Sequence, residues 1–558
     1  MDRSDVVIVG GVACGPKTGA VLARRLPGTR ITLFQKEEHL SYATCGLPYF
    51  ASGDVGALDQ LMATSYGVKR DAEFFRITKG ISVVTGAEVI AVDRESKIIT
   101  ARYLSTGETV QHAYGKLVLA TGAVPRKPPF SVPRSERICS FTRPSDATAF
   151  RGLAEQGEIE TALIVGGGFI GCEMAEATGG LWGIHATMIE KEAQVLPYVL
   201  DAEMAAMVER ELDRHGTPVR TETNVRDTKL DIDGCPVVTL AGGESMTVDY
   251  VLLCLGVTPN VDLAASCGLD IGSTGGIVVN SRMQTSDPNI YAGGDCVESR
   301  HQITGQPMYL PMGSLANRQG RVIAENLAGS ESRFSGVVGT SLVKVFDMNV
   351  GAVGLTEKAA RDAGLRIDSV WGSFADKPDY YPESQTFVLK MVYERGSGRL
   401  LGLQAVGAGD ICRRIDVFSS FLRSRATVDD LLDFEHGYAP PYAEALDPLH
   451  HLAAMAQAQG RGVVFLNPND NQQVPGGDSV LLDVREPAEF ADEPFPGSGN
   501  VINIPLGDLR RRADEIDRTK RVVVMCKRGP RAYQAALILK ATGFDDLGVL
   551  AGGLQALI

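Results

Sequence analysis

The chain has no strongly basic segment, no long apolar run and no dense group of cysteines. Its 558 residues carry 55 Lys and Arg against 68 Asp and Glu, for a formal net charge of −13. Because nucleic acids and anionic membrane surfaces attract basic patches, this balance argues against both as main partners. No apolar stretch approaches the ~20 residues needed to cross a bilayer, so no membrane partner is expected.

The ten cysteines are spread over the whole chain. Such thin spacing favours a reducing compartment over a disulfide framework. The first residues, MDRSDVVIVG, enter an apolar run at once and leave no room for a secretory signal. A chain of this length exceeds a single core, and the prior is roughly four units. We therefore expect a cytoplasmic protein with several domains.

Two segments share the order apolar strand, glycine-rich turn, helix. Their strands lie at residues 5–9 and 162–165. In such turns the backbone can approach a pyrophosphate, and the helix N-terminal amides point at it. The glycines predicted to form the phosphate-binding pattern are Gly10, Gly11 and Gly15 in the first turn and Gly166, Gly168 and Gly171 in the second. The repeat predicts two dinucleotide-binding folds within an α/β chain.

The residue that ends the second strand of each unit is expected to contact the ribose of a dinucleotide. In the second unit this residue is Glu190, whose carboxylate can hold both ribose hydroxyls and would repel a 2′-phosphate. NADH is therefore predicted over NADPH, although the adjacent Lys191 acts in the opposite direction. In the first unit the position is Gln35, which can hydrogen-bond without charge. The first turn also has Val12 where the second has its middle glycine.

Further motifs complete this pattern along the chain. They occupy residues 41–49, 120–122, 256–260, 293–295, 316–321 and 438–442. Together with the two turns they resemble the FAD-dependent pyridine nucleotide-disulfide oxidoreductases, in the branch with a single redox cysteine. The resemblance covers about residues 5–455.

The resemblance implies two cofactor sites. It implies an FAD site formed by Gly10, Gly11, Gly15, Gln35, Lys36, Ala120, Thr121, Gly122, Asp295 and Ala316. It implies an NADH site formed by Gly166, Gly168, Gly171, Glu190 and Gly256. In this family the residue matching Asp295 holds the ribityl chain of FAD. No metal site is predicted.

Cys45 is the implied redox cysteine, which the family places beside the flavin. A reactive cysteine pair would need a second thiol one helical turn away, and the position five residues on is Phe50. Cys45 is therefore expected to act as a lone thiolate that forms a mixed disulfide, a persulfide or a sulfenic acid. Cys14, inside the first turn, is expected to be a small packing residue.

A binding site for a thiol carrier is expected on the helix that follows the first glycine-rich turn. Lys17, Val21 and Arg24 share one helix face, which therefore presents two cations. The family uses the corresponding positions, with Ser41 and the residue at Thr44, to hold the tail of coenzyme A. The usual residue at position 44 is Asn, and the alternative interpretation is a solvated basic face.

From about residue 335 the pattern changes to antiparallel strands, with a predicted hairpin at 387–394 and 399–406. This region resembles the dimerisation domain of the same family and implies a homodimer. The tyrosines that would reach the partner's cysteine are Tyr380, Tyr381, Tyr438 and Tyr442. Such phenols can donate hydrogen bonds or a proton to a departing thiolate. The alternative is that they are ordinary core or interface aromatics.

The last ~85 residues carry a separate signal. Buried-type strands at 479–483 and 521–525 follow a polar stretch at 467–473, the best linker in the chain. The second strand ends at Cys526, where backbone amides and a helix N-terminus would stabilise a thiolate or persulfide. The loop resembles that of rhodanese sulfurtransferases, with Cys526 and Arg531 as implied catalytic residues. The related phosphatase loop would need its arginine at position 532, which is Ala532, so sulfur is favoured over phosphate.

The predicted domains are a discontinuous FAD-binding domain at 1–115 and 248–330, an NADH-binding domain with connections at 116–247, a dimerisation domain at 331–455, a linker at 456–476 and a rhodanese domain at 477–558. The expected activity is NADH-dependent reduction of persulfide, polysulfide or coenzyme A-linked sulfane sulfur through Cys45. The small-molecule partners are thiols and persulfides, and coenzyme A can be a bound thiol or carrier. The alternatives are a coenzyme A disulfide reductase, an NADH oxidase or peroxidase that uses a sulfenic acid, and a non-catalytic redox sensor. Lys527, Arg528 and Arg531 favour an anionic sulfur donor such as thiosulfate or a polysulfide, and Cys526 is hypothesised to pass sulfur to Cys45.

Overall fold

The computed structural model describes residues 1–467, 479–496 and 501–556. The chain forms two compact units, Met1–Glu192 with Gly216–Val337, and Ala193–His215 with Val338–Ile558. No helix of the described ranges is long and apolar enough to cross a bilayer.

The strands and helices have the following bounds. The strands are β1 Asp2–Val9, β2 Ile31–Phe34, β3 Ile81–Val84, β4 Ala87–Asp93, β5 Ile98–Tyr103, β6 Thr109–Leu119, β7 Ala123–Pro125, β8 Ile138–Cys139, β9 Thr161–Val165, β10 His185–Ile189, β11 Val219–Arg220, β12 Val225–Leu230, β13 Pro236–Leu240, β14 Ser245–Thr247, β15 Tyr250–Leu253, β16 Val257–Pro259, β17 Ile290–Ala292, β18 Ser299–Arg300, β19 Pro307–Met308, β20 Ser341–Val345, β21 Met348–Gly354, β22 Ile367–Ala375, β23 Thr386–Glu394, β24 Leu400–Gly407, β25 Val464–Leu466, β26 Ser479–Asp483, β27 Val501–Asn503, β28 Arg521–Met525 and β29 Leu547–Leu550. The helices are α1 Cys14–Arg25, α2 Leu47–Ser52, α3 Ala72–Phe74, α4 Pro144–Glu155, α5 Phe169–Gly179, α6 Ala202–Arg214, α7 Asp262–Ser266, α8 Gly313–Leu327, α9 Glu357–Asp362, α10 Cys412–Ser424, α11 Val428–Leu432, α12 Pro448–Gly460, α13 Pro487–Asp492, α14 Leu509–Arg512 and α15 Pro530–Ala541. Short 3-10 helices lie at Thr44–Gly46, Leu58–Met62, Ala513–Glu515 and Gly553–Ala556, and a π-helical turn lies at Phe75–Lys79.

The first sheet of the first unit runs β3-β2-β1-β6-β5-β4, and β17 also pairs with β6. Strands β1, β2, β3, β6 and β17 pair in parallel, so their carboxyl ends lie at one edge. Their apolar runs are buried on both faces, as parallel sheets covered by helices require. Loops that follow these strands therefore meet at one edge of the sheet, where ligands of such folds bind.

The second sheet, β11-β10-β9-β15-β8, is parallel throughout. It corrects one predicted boundary between the FAD and NADH domains. Residues 116–119, which the predicted range 116–247 includes with the connections of the NADH domain, belong to β6 of the first sheet. Strand β15 pairs with β9 of the second sheet, although it was assigned to the FAD domain. Sheet membership depends on which strands pair, and the sequence near these crossings carries no sign of the change.

The second unit contains the five-stranded antiparallel sheet β20-β21-β24-β23-β22. The predicted hairpin is confirmed, since β23 and β24 pair antiparallel. Helix α6, predicted within the NADH domain, belongs to this unit. A buried ion cluster holds it there, because the Lys390 ammonium lies 2.8 Å from Asp201 and 2.7 Å from Glu357 and also pairs with Glu203.

The C-terminal sheet runs β25-β29-β28-β26-β27 and is parallel. It corrects the predicted linker at 456–476. Helix α12 extends to Gly460, and β25 joins this sheet by pairing with β29. The polar stretch predicted at 467–473 lies almost entirely outside the described residues.

Candidate active sites

The first glycine-rich turn connects β1 to α1. Gly10 has φ +111°, and a methyl group on it would overlap the carbonyl oxygen of Ala120. A methyl group on Gly15 would in turn overlap the carbonyl oxygen of Gly10. Both glycines are therefore required by close backbone packing, and the turn lies directly against the end of β6.

Gln35, at the end of β2, holds this turn. Its Oε1 accepts a hydrogen bond of 2.8 Å from the Gly11 N–H, and its Nε2 donates to the His39 carbonyl. The Ser41 N–H donates to the Gly11 carbonyl at 2.8 Å, and Ser41 itself has φ +49°. A left-handed conformation is uncommon for a non-glycine residue and often marks a functional site. The structure thus brings Ser41 to the turn that the sequence associates with FAD.

The remaining predicted FAD residues lie at the same edge of the sheet. Asp295 follows β17 and accepts a hydrogen bond from the Met312 N–H, just before α8, and burial raises its pKa to about 6. Ala316 is buried in the first turn of α8, and a methyl group on Gly294 would lie 3.6 Å from it. Thr121 Oγ1 donates to the Asn260 carbonyl at 2.7 Å, and Gly122 has φ +70°.

These groups form a cradle of tightly packed backbone at the ends of β1, β6 and β17, as a bound dinucleotide requires. The residues present therefore fit FAD. Lys36 differs from its predicted neighbours because its Nζ pairs with Glu88 of β4 at 2.8 Å.

The predicted carrier face lies on α1. Val21 is buried, Lys17 is half-buried and Arg24 is exposed. A methyl group on Gly320 of α8 would lie 3.2 Å from the Lys17 Cβ, so the base of this side chain packs on α8. The two cations thus flank a buried apolar residue on one helix. Thr44 is exposed next to Cys45.

Cys45 lies in the 3-10 turn before α2 and is exposed. Phe50, on the following helix, is buried beneath the guanidinium of Arg151, which lies 4.7 Å from its ring centroid. Cys14 is buried, and burial raises its pKa well above the usual range for a thiol. The two cysteines of this region are therefore an accessible thiol and a packed one. Cys412 on α10 is also exposed, and the sequence carries no signal that separates it from a structural cysteine.

Two glutamates that sequence reasoning missed lie beside α2. Glu173 and Glu176 are on α5, and together with Pro48, Tyr49 and neighbouring residues they line a small cavity. Burial and the neighbouring Glu176 raise the pKa of Glu173 to about 7. The pKa of Tyr49 is raised by burial and by the two glutamates, with a smaller contribution from Cys45. The helix that starts at the second glycine-rich turn thus carries an acid that can hold a proton near neutrality.

The second glycine-rich turn repeats the geometry of the first. Gly166 has φ +111°, and a methyl group on it would overlap the Cys254 carbonyl oxygen at the end of β15. Glu190 is buried and accepts hydrogen bonds from the N–H groups of Gly167 at 2.7 Å and Glu192 at 2.9 Å. Gly256, with φ +82°, follows at the same sheet edge.

The space around the α-carbon differs between Gly171 and Gly168 of the second turn. A methyl group on Gly171 would overlap the Gly166 carbonyl oxygen, whereas one on Gly168 would meet nothing within 4 Å. The open space above Gly168 fits a pyrophosphate approaching the turn. The predicted NADH residues are therefore brought together.

The predicted tyrosines form an exposed group on the dimerisation domain. The exposed fractions are 75% for Tyr380, 52% for Tyr438 and 69% for Tyr442. Tyr380 and Tyr438 hydrogen-bond to each other, which joins the two segments. Tyr381 is half-buried. Exposed aromatics clustered in this way are typical of an interface.

The C-terminal loop places Cys526 between β28 and α15. Its Sγ accepts a hydrogen bond of 3.0 Å from the Gly529 N–H, and Gly529 has φ +113°. Arg531 donates to both carboxylate oxygens of Glu489, at 2.6 and 2.7 Å, and this contact lowers the pKa of Glu489 to about 2. Arg528 is likewise bidentate to Asp379. Two of the three cations expected to attract an anionic donor are thus already paired with carboxylates.

Comparisons with known proteins agree with this organisation. Residues 4–314 match the pyridine nucleotide-disulphide oxidoreductase model, residues 340–450 its dimerisation domain and residues 468–558 the rhodanese-like domain. A Pyrococcus horikoshii protein named NAD(P)H coenzyme A polysulfide/persulfide reductase is 35% identical over 455 residues, covering 81% of this chain and 98% of its own.

Two solved structures match nearly the whole chain. One is an NAD-dependent persulfide reductase from A. fulgidus, with TM-score 0.93 and 38% identity over 99% of this chain and 100% of its own. The other is the reduced CoADR-RHD of Bacillus anthracis, with TM-score 0.90 and 32% identity over 100% of this chain and 98% of its own.

These findings confirm the predicted fold class, an α/β chain with dinucleotide-binding, dimerisation and rhodanese domains. They also confirm the prediction of an oxidoreductase that uses FAD and NAD(P)H.

Proposed function

Because the chain belongs to the pyridine nucleotide-disulphide oxidoreductase family, we propose that it is an NADH-dependent reductase of persulfide, polysulfide or coenzyme A-linked sulfane sulfur. The observation that carries this proposal is the accessible thiol of Cys45, which has buried Phe50 where the second thiol of a redox pair would stand. The names of the relatives support the same class of substrate. The proposed location of this reductase activity is the cytoplasm.

Residues at the two sheet edges would hold the cofactors. Gly10, Gly15 and Gln35 shape the FAD turn, and Asp295 would receive the ribityl hydroxyls. Gly166 and Glu190, among others, would hold NADH. Bound FAD supplies the chemistry of accepting two electrons from NADH and passing them to sulfur.

Cys45 would do the sulfur chemistry. Its thiolate attacks the inner sulfur of a persulfide R–S–SH, forms Cys45–S–S–R and releases hydrosulfide. Release of R–SH then consumes two electrons and a proton. Glu173, which can hold a proton near neutrality, is a candidate source of that proton.

A homodimer is the proposed working unit. The exposed group of Tyr380, Tyr438 and Tyr442, with Tyr381, would meet the partner subunit and donate hydrogen bonds to its departing thiolate. Lys17, Arg24, Ser41 and Thr44 would receive a thiol carrier such as coenzyme A. The Bacillus anthracis match keeps coenzyme A disulfide reduction as a second candidate activity.

The rhodanese loop would supply sulfur to the reductase. Cys526 takes a sulfane sulfur as a persulfide and presents that persulfide to Cys45 directly or through a small thiol, and the sulfane sulfur leaves as hydrosulfide when Cys45 attacks. With Cys526→Ala, a preformed small persulfide should be reduced nearly as well as by the parent, while a source that needs the loop should be used poorly. Unchanged use of every source would refute the relay.

Replacing Cys45 tests the proposed reductase. Cys45→Ser should keep FAD and still oxidise one equivalent of NADH, yet its steady-state NADH consumption with persulfide should fall to that of the enzyme-free control. The matched control is Cys412→Ser, which removes another exposed thiol. Assays with persulfide, polysulfide, coenzyme A disulfide, oxygen and peroxide separate the candidate activities. Undiminished persulfide turnover by Cys45→Ser would move the reactive sulfur elsewhere.

A further inference from the structure

A cavity of about 530 Å³ opens beside Cys526 in the second unit. One wall is the rhodanese loop itself. The other comes from the dimerisation domain, namely the end of β22, Asp379, Glu444 and His451 of α12. The surroundings of the rhodanese cysteine are therefore built by two domains.

Direct hydrogen bonds fix the two walls to each other. The Ser373 N–H donates to the Arg528 carbonyl at 3.1 Å, and Ser373 Oγ donates to the Gly552 carbonyl at 2.9 Å. The bidentate pair of Arg528 with Asp379 adds a third connection. Because Ser373 is buried, its two hydrogen bonds are shielded from water and hold the cavity walls together.

The charges around the cavity divide into paired and unpaired groups. The charge of Arg528 is neutralised by Asp379, and the charge of Arg531 is neutralised by Glu489. His451 stacks on Phe374, and burial lowers its pKa, so near neutrality the ring adds no charge.

Lys527 and Glu444 are the other charged groups that line the cavity. Neither has an ion-pair partner among the described residues. Burial and Asp379 raise the pKa of Glu444 against the opposing effect of Arg528 and Arg414, and the net rise reflects a cost that a bound cationic group would offset. The cavity thus offers one ammonium and one carboxylate to a ligand.

The size of the cavity argues against a very small donor. At about 30 Å³ per water molecule, its volume equals that of roughly 18 waters, and pockets of about 300–1,000 Å³ are typical of organic ligands. Thiosulfate would occupy a small part of it and would find two of the three cations already paired. An organic donor with both charges would use more of the space and both free groups.

We propose that this cavity binds a low-molecular-weight persulfide that carries both an ammonium and a carboxylate group, as cysteine persulfide does. Glu444 receives the ammonium and Lys527 the carboxylate. The Cys526 thiolate attacks the terminal sulfur of R–S–SH, the new bond joins Sγ to that sulfur, and the old S–S bond breaks. The electron pair leaves with R–S⁻, so Cys526 becomes a persulfide without any net oxidant or reductant. The inference rests on the proposed function only for the later fate of the sulfur.

Loading of Cys526 in the full-length protein without NADH tests the inference. The enzyme is mixed with cysteine persulfide, cysteamine persulfide, 3-mercaptopropionate persulfide or thiosulfate, and the sulfur gained by the Cys526 peptide is followed by mass spectrometry. Cysteine persulfide should load Cys526 at least about tenfold faster than each of the others, since each lost charged contact removes a hydrogen bond of that strength. Equal rates for all persulfides, or thiosulfate as the fastest donor, would overturn the proposal.

Two variants assign the charged groups. Glu444→Gln should slow loading by cysteine persulfide about tenfold and leave 3-mercaptopropionate persulfide unchanged. Lys527→Gln should slow cysteine persulfide by a similar factor and leave cysteamine persulfide unchanged. Glu435→Gln and Lys520→Gln lie away from the cavity lining and should load as the parent does. A uniform loss for every donor, in either cavity variant, would contradict recognition by charge.

Adding NADH to the loaded mixtures separates this inference from the proposed reductase. Selective loading of Cys526, followed by no persulfide-dependent oxidation of the added NADH, would refute the reductase and keep the inference. Persulfide-dependent oxidation of NADH without selective loading of Cys526 would refute the inference and keep the reductase.

Discussion

The two glycine-rich turns of the first unit have the same backbone and different chemistry. In both, the first glycine has φ +111° and lies against the carbonyl oxygen that ends a neighbouring strand. In both, the side chain that ends the next strand accepts a hydrogen bond from the second residue of the turn. These shared features hold the backbone of both turns through contacts within the chain.

The differences lie where a ligand would bind. The first turn has Val12 where the second has Gly168, and Gln35 where the second has Glu190. Gly168 has φ −81° and open space above it, so the fold itself does not require glycine there. The comparison therefore separates glycines needed by the chain from a glycine needed by its cofactor.

The largest effect is expected from Gly10→Ala, which disrupts the close approach of the first glycine to a strand carbonyl that both turns share. The added methyl overlaps the Ala120 carbonyl, and the positive φ adds strain, for a loss of at least about 3 kcal/mol. Flavin content and the urea midpoint of the purified protein measure the outcome. Gly168→Ala is the matched control and should keep the parent midpoint. A flavin-loaded Gly10→Ala protein with the parent midpoint would break the comparison.

Asp295→Asn should show the next largest effect, because burial raises the pKa of this acid at the tip of β17. Its folded pKa of about 6 lies above the unfolded value near 4, so its stabilising contribution is present below pH 4 and lost as the pH rises through 6. At pH 7.5 the flavin-free variant should be more stable by about 3 kcal/mol, while FAD binds it more weakly. Thermal unfolding from pH 4 to 8 checks this, and a variant with the parent pH dependence would contradict it.

Gly168→Val gives the second turn the valine that the first turn has at Val12. Stability should change by less than about 0.5 kcal/mol, since nothing opposes the side chain. The KM for NADH should rise about tenfold because the pyrophosphate loses its approach. Flavin reduction kinetics and thermal unfolding give both readouts. A large loss of stability would show that the fold, and not the cofactor, requires this glycine.

Glu190→Gln should have the smallest effect of the four substitutions. It replaces the carboxylate of the second turn with a glutamine amide, the group that Gln35 supplies to the first turn. The amide oxygen can keep the hydrogen bond to the Gly167 N–H, while the repulsion of a 2′-phosphate is lost. The NADH to NADPH ratio of kcat/KM should narrow by about fivefold. An unchanged ratio would move cofactor choice to other residues, with Lys191 the first to test.

Much of the site could be predicted because its signals are local. The strand, turn and helix of each dinucleotide unit lie within about 30 residues, and the spacing of their glycines carries the backbone constraint directly. Cys45 and Cys526 were found in the same way, each from its flanking motif. The structure adds that one is exposed and the other buried.

Other features depend on residues far apart in the chain. Lys390 is surrounded by Asp201, Glu203 and Glu357, and no local pattern shows that a lysine in β23 will be buried or that α6 will join its sheet. The cavity beside Cys526 is similar, since Ser373 and Asp379 lie about 150 residues before the loop they contact. The predicted attraction for a small anion rested on Arg528 and Arg531 without knowledge of their carboxylate partners.

The sequence by itself determined the order of the domains, the two glycine-rich turns and the positions of the two cysteines proposed to react, because each depends on short-range geometry. Only the tertiary structure decided which strands share a sheet, which charges are neutralised and what lines the cavity at Cys526. Those outcomes depend on pairing between segments that are distant in the chain. Whether a side chain is buried, and whether its charge is neutralised, depends on which segment packs against it.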